Sequence, residues 1–318
     1  MKVAFVGKGG SGKTTLSSLF ARYLYAAGLP VLAIDADINQ HLALALGMDE
    51  VEAARLPAMG ADLAFIKDWL RGDNPRIASA AAMTKTTPPG SGSRLLRLVE
   101  DNPIYARFAR LAGGVRLLAT GPFEDADLGV ACYHSKTAAV ELLLNHLVDG
   151  PGEYVVVDMT AGADSFASGL FTRFDLTVLV TEPTTRAVGV CRQYQRYAAS
   201  FDVAIAMVGN KVTDEGDRAF LRQQLGADLL ACLDQSEYVR AAERGDVRPI
   251  GQLEPANRHT LERLRAAVDA IDKDWAAFQR QTVEFHIRNA RAWGNAAAGT
   301  DLLGQIDPTF ALAPSVLA

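Results

Sequence analysis

The sequence has little with which to build a covalent framework: its three cysteines, Cys132, Cys191 and Cys232, stand without paired spacing among 318 residues. That excludes a disulfide scaffold and points to a reducing, cytoplasmic setting. Also missing is any uncharged apolar run long enough to span a bilayer. The first six residues, Met1-Lys-Val-Ala-Phe-Val6, already read as a buried strand, so a signal peptide is not expected. Positive charge is not in excess. The formal net charge of −5 argues against bulk attraction to nucleic acid or anionic lipid, while leaving a local basic patch open. No internal repeat is visible. With 49% hydrophobic and 22% charged residues, what is left is a globular chain with a sizeable core, large enough for one α/β domain with an appendage.

What is present is an alternation of short apolar runs with longer helical stretches, the pattern of a parallel sheet covered on both faces. Strands are expected at residues 3–6, 31–34, 116–120, 154–158, 176–181 and 204–208, and helices at 15–27, 136–148, 189–199 and 217–225. Gly28-Leu29-Pro30 stops the first helix and launches the second strand. Three segments break the alternation. Residues 50–113 form a long excursion whose stretch Thr86-Thr87-Pro88-Pro89-Gly90-Ser91-Gly92-Ser93-Arg94 reads as a loop, ordered over a ligand or partner, or simply facing solvent. Residues 274–293 carry Trp275, Phe278, Thr282, Phe285 and Trp293 at roughly helical spacing. Its polar face is weakly basic, so docking on the protein's own core is favoured over a client face or a membrane-surface role. From Gly294 onward, an Ala/Gly-rich stretch with two prolines is expected to be a poorly ordered tail. The expected division is 1–272 for the main domain and 273–318 for the helix and tail.

Gly7-Lys8-Gly9-Gly10-Ser11-Gly12-Lys13-Thr14 follows a strand and opens a helix, the context that the phosphate-loop pattern G-x-x-x-x-G-K-[ST] requires. Glycines let successive backbone N–H groups turn inward around a β-phosphate, and the helix N-terminus adds its partial positive charge. Lys13 places an ammonium on the β- and γ-phosphates, the Thr14 hydroxyl is set to ligate Mg²⁺, and Thr15 reaches the α-phosphate. The ligand read from this is ATP with Mg²⁺. The fold class that follows is a three-layer α/β P-loop NTPase with a mostly parallel central sheet and a C-terminal helical extension. Tyr154-Val-Val-Val-Asp158 is an apolar strand ending in an acid, so Asp158 is placed to hold a Mg²⁺-bound water.

Lys8 is more than the general pattern demands. K-G-G-x-G-K-T-T resembles the deviant phosphate loop of the MinD/ParA/nitrogenase iron protein superfamily. The resemblance implies that Lys8 crosses the interface of a homodimer and touches the nucleotide of the other subunit, as an arginine finger would. It further implies that Asp37, the second acid of Ile34-Asp35-Ala36-Asp37, orients the attacking water and that Asp35 lies nearer the Mg²⁺ shell. Met159-Thr-Ala-Gly162 resembles the second switch, where a glycine N–H registers the γ-phosphate. Asn210, in Val208-Gly-Asn-Lys211, is implied to face the adenine edge, with the segment around Leu233 and Asp234 as a candidate for the other wall.

Within the superfamily, residues 1 to about 270 most resemble the carbon monoxide dehydrogenase maturation ATPases (CooC), which assist nickel insertion. Those ATPases carry a C-x-C pair that makes a metal site shared across the dimer. Here the pair is replaced by Cys132-Tyr133-His134. Two such pairs from a two-fold dimer would give two sulfur and two nitrogen ligands, a set suited to Zn²⁺ and conceivable for Ni²⁺. The alternative is packing plus a surface imidazole. Cys191 and Cys232 read as small apolar fillers. The leading function is therefore a Mg²⁺-ATP-driven dimeric switch acting on a client such as a maturing metalloenzyme. Two alternatives stay open: a positioning switch that binds a surface, and an ATP-dependent biosynthetic enzyme resembling dethiobiotin synthetase, against which Lys8 counts.

Overall fold

The computed structural model describes residues 1–122, 137–162, 166 and 169–313. Among these, eight strands form one sheet: β1 (Lys2–Gly7), β2 (Val31–Ala36), β3 (Arg110–Ala112), β4 (Val115–Ala119), β5 (Tyr154–Met159), β6 (Leu176–Thr181), β7 (Ile205–Val212) and β8 (Leu229–Asp234). Their order across the sheet is β8-β7-β6-β1-β5-β2-β4-β3. Every pairing is parallel except the β3–β4 hairpin at one edge. The six expected strands are all present. The hairpin strand β3 and the edge strand β8 lie beyond the six expected.

The apolar runs are continuous because both faces are covered. Along β1, Ala4 and Val6 point into one core while Val3 and Phe5 point into the other. β2 divides in the same way, Leu32 and Ile34 against Val31 and Ala33. Helices α1 (Lys13–Ala26) and α6 (Pro255–Asp269) supply Leu16, Leu24, Leu261 and Leu264 to the second core. On the opposite face lie α2 (Leu63–Arg71), α3 (Ala138–His146), α4 (Thr185–Ala198) and α5 (Glu215–Leu225). Their caps are written in the sequence: Asp62, Thr184 and Asp214 each accept a first-turn N–H. Cys191 is buried, and its thiol is pushed up to about 11 by that burial, so it is the apolar filler expected.

Helix α7 (Trp275–Asn289) docks on the chain itself, burying Phe278, Thr282 and His286. Beneath it, Lys2 and Lys273 share Asp149, at 2.8 and 2.6 Å, and Lys273 also reaches Asp175 at 2.9 Å. The Lys2 ammonium lies 4.5 Å from the Phe278 ring centroid. Trp293 departs from expectation, because a π-turn at Ala290–Gly294 shifts the helical phase and leaves the indole 49% exposed.

The expectation of a poorly ordered tail from Gly294 is overturned for the residues described. Leu302 and Leu312 are buried, and the tail seals the 86–94 loop. Thr87 Oγ1 donates to Gln305 Oε1 at 2.9 Å, Ser91 N to Asp307 Oδ2 at 3.0 Å, and Thr86 Oγ1 lies 3.2 Å from His286 Nδ1. The solvent-facing reading is thereby excluded for the first half of the loop: residues 86–90 are buried, while Ser91, Gly92 and Arg94 are exposed. Each segment is too polar to predict a core alone, and each satisfies the other's hydrogen bonds. Among the described residues no helix is long and apolar enough to cross a membrane.

Candidate functional site

The phosphate loop leaves β1 at the carboxyl edge of the sheet, the edge where open α/β sheets bind ligands. Gly7 must be glycine, because a Cβ there would lie 2.3 Å from the Val180 carbonyl oxygen. Gly12 is the N-cap of α1 at φ +91°, no side chain caps the helix, and its first turn holds no acid. Its leading N–H groups therefore have no side-chain capping acceptor and no acid within their own turn, which leaves them open to an anion. Lys13 is buried at 6% exposure, whereas Lys8 is half-buried on the rim beside the exposed Gly9 and Gly10. Ser11 is fully buried with its hydroxyl unpartnered.

Two acids arrive on neighbouring strands in register, Asp35 opposite Asp158. Asp158 is fully buried; its Oδ2 accepts from Thr14 Oγ1 at 2.6 Å, and its Oδ1 is without a partner. Burial pushes its carboxyl up to about 7 against the opposing pull of the Thr14 hydroxyl and the Lys13 charge, with Asp37 adding to the rise. Asp35 is held well above the usual carboxylate range by burial and then by the charge of Asp158. Its oxygens accept from the backbone of Asp37 at 3.1 Å and of Leu42 at 2.9 Å, so it shapes the turn after β2. Asp37, at 8% exposure, accepts from the backbone and side chain of Asn39, both at 3.0 Å. Gly162 donates to the Gly7 carbonyl at 2.9 Å, tying the segment after Asp158 to the base of the loop.

Asn210 comes to the same place from β7. Its Nδ2 donates to the Ser11 carbonyl at 2.7 Å. It also lines a cavity of about 340 Å³ with Thr15, Leu233, Asp234, Gln235 and Ser236. Thus Asn210 and the Leu233 segment, far apart in sequence, share one wall beside the loop. Cys132 and His134 lie outside the described residues. Among the described residues no group of three or more His, Cys, Asp or Glu is arranged to hold a metal ion.

Two participants went unread in the sequence. Gln40, at φ +53°, accepts from Gly121 N at 3.2 Å and donates to Thr120 Oγ1 at 3.2 Å, pinning the turn that carries Asp37 to the end of β4. Lys211, at φ +58°, lies 2.7 Å from both the Gly10 carbonyl and Glu182 Oε1. Positive φ in a non-glycine residue is no pattern a sequence displays.

The sequence profile described as the CobQ/CobB/MinD/ParA nucleotide binding domain matches residues 3–250. The chain belongs to this family. It is a P-loop ATPase of the MinD/ParA type, CooC-like in sequence. The carbon monoxide dehydrogenase accessory protein CooC of Rhodospirillum rubrum is 32% identical over 270 residues, covering 84% of this chain and 96% of that protein. An uncharacterized ATP-binding protein of Methanocaldococcus jannaschii is 27% identical over 250 residues, 76% of this chain and 88% of its own. Among solved structures, a ParA family ATPase from Chlorobium tepidum superposes with a TM-score of 0.57 at 14% identity, covering 82% of this chain and 96% of that one. The MinC:MinD cell division protein complex of Aquifex aeolicus gives 0.55 at 19% identity, with 86% and 97% coverage. At such identities these two speak for the fold alone.

Proposed function

We propose that this ATPase is a magnesium-dependent dimeric switch that binds ATP between two copies, hydrolyses it, and acts on a client protein such as a metalloenzyme during maturation. The observation that carries the reading is Lys8. It stands half-buried on the rim of the loop beside the exposed Gly9 and Gly10. Lys13 already supplies the buried ammonium of its own site. A second one, on the rim, has its use on the phosphates of the opposite subunit, where it offsets charge on the transferring phosphoryl group.

The remaining residues take their parts by position. Successive N–H groups from Gly9 to Thr15 cradle the phosphates, Lys13 holds the β- and γ-oxygens, and Asp37 orients the attacking water. Asn210 and the Leu233 segment receive the adenine in the cavity they line. The partnerless Asp158 Oδ1 beside the Thr14 hydroxyl fits a divalent cation, as do two buried carboxylates in register whose protons burial makes hard to lose. Thr14 and Asp158 would hold Mg²⁺, with Asp35 one strand behind. Bound there, the ion supplies positive charge to the β- and γ-phosphate oxygens. Support for a maturing client comes from the relative named as a carbon monoxide dehydrogenase accessory protein, 96% of whose length is matched.

The test is turnover together with mass. Lys8→Ala should bind ATP and lose hydrolysis, and Lys13→Ala should lose both. Wild-type protein with Mg²⁺ and a slowly hydrolysed ATP analogue should sediment at twice the monomer mass. Undiminished turnover in Lys8→Ala defeats the trans role. A monomer under those conditions reduces the reading to ATP binding.

A further inference from the structure

The carboxyl end of β7 hands two consecutive side chains to two consecutive carbonyls of the phosphate loop. Asn210 Nδ2 donates to Ser11 O at 2.7 Å, and Lys211 Nζ donates to Gly10 O at 2.7 Å. The Lys211 ammonium is itself held by Glu182, 2.7 Å away and one residue beyond β6. Because β7, β6 and β1 are neighbours in the sheet, Glu182 and Lys211 form a brace from two strand ends onto the loop that leaves the third.

Within the loop itself the turn is closed by Ser11 N donating to the Lys8 carbonyl at 3.1 Å. Gly9 and Gly10 are exposed, and a Cβ built on Gly10, at φ +81°, would meet no atom within 4 Å. The C=O and N–H of one planar peptide point in opposite directions. Anchoring the carbonyls of Gly10 and Ser11 on one side therefore also sets the N–H groups of the same two peptides: that of Ser11, turned to the Lys8 carbonyl, and that of Gly12. Lys211 reaches its partner from a left-handed backbone conformation, which side-chain-bearing residues keep where the surroundings impose it.

We propose that Lys211, held by Glu182, is a positioning residue for nucleotide phosphates: it presets the phosphate-loop peptides by gripping the Gly10 carbonyl. The idea rests on the reading of the loop as the ATP phosphate site. The loop grips a β-phosphate common to ATP, ADP and the transition state, so loss of the brace weakens binding uniformly and raises KM while sparing kcat.

The experiment compares Lys211→Met, Lys211→Gly, Lys211→Arg and Glu182→Gln, with Lys13→Ala as reference. Kd for ATP and ADP is measured by calorimetry, and KM and kcat by phosphate release. Lys211→Met and Lys211→Gly should weaken both nucleotides about tenfold, as for a charge-assisted hydrogen bond, with kcat within about twofold. Lys211→Arg should recover most of the loss. Glu182→Gln, outside the loop, should weaken binding about threefold and keeps the test alive if a Lys211 variant fails to fold. Glycine is the decisive substitution, because it relaxes the backbone at 211 while removing the ammonium. Wild-type affinity in Lys211→Gly or Lys211→Met overturns the proposal. If Lys13→Ala also binds ATP normally, the functional reading fails first; if Lys13→Ala loses ATP while Lys211→Met does not, only this inference fails.

Discussion

Replacing Gly12 by alanine should unfold part of the site's architecture from a single methyl group. Gly12 sits at φ +91° and ψ 29°, a region that costs a residue with a Cβ about 1–2 kcal/mol. The new Cβ would also lie 2.0 Å from Asn210 Nδ2 and 3.2 Å from its Cγ. Asn210 is 4% exposed, so its side chain must move, and moving it breaks the bond to the Ser11 carbonyl. A buried hydrogen bond lost in this way costs about 1–3 kcal/mol. Together the destabilisation of Gly12→Ala is about 3 kcal/mol. Asn210→Ala alone loses the hydrogen bond and not the backbone conformation. In the double variant the clash disappears, so the combined loss should fall short of the sum of the single losses by about 1 kcal/mol or more. Urea unfolding of nucleotide-free protein, followed by tryptophan fluorescence and circular dichroism, measures all three. Additive energies, or a Gly12→Ala loss under about 0.5 kcal/mol, would refute the steric argument.

Two further outcomes follow from buried titratable groups. His146 is fully buried, donates from Nδ1 to the Leu142 carbonyl at 2.9 Å, and has its pKa lowered to about 4 by burial. Above the unfolded value of about 6.5 both states are neutral; between there and about 4 only the unfolded chain takes the proton, so stability falls as pH falls. From pH 7.5 to pH 5 wild type should lose about 2 kcal/mol more than His146→Leu in urea melts, and equal losses would remove His146 from the account. Asp158→Asn should raise the unfolding midpoint of the nucleotide-free protein at pH 8, because the raised pKa makes the carboxylate a cost there. The same variant should lose ATP turnover; a lowered midpoint would show that the charge is compensated.

The phosphate loop was legible in the sequence because its chemistry is local: a strand, a run of glycines and a helix start, joined within a few bonds. The strand-terminal acids Asp35, Asp37 and Asp158 were legible for the same reason, since an apolar run sets the strand and its end sets the edge of the sheet. Asp35 was only half read. Its place at the end of β2 followed from the apolar run before it, but its engagement with the Leu42 and Asp37 amides depends on how the turn closes. The tail was misread because composition stood in for contact: a stretch rich in alanine and glycine carries no periodic signal, yet Leu302, Gln305 and Asp307 find partners in residues 86–91.

By itself the sequence determined the alternation of strand and helix, the phosphate loop and the acids at its side. Hydrophobic period and glycine placement act over a few residues and need no distant partner. Only the tertiary structure decided that Asn210 and Lys211, some two hundred residues along the chain, hold the carbonyls of Ser11 and Gly10. It alone also decided that the excursion and the C-terminal extension seal one another. Those arrangements are set by which strand ends lie side by side in the sheet, and hydrogen bonds between polar loops leave no pattern in either loop alone.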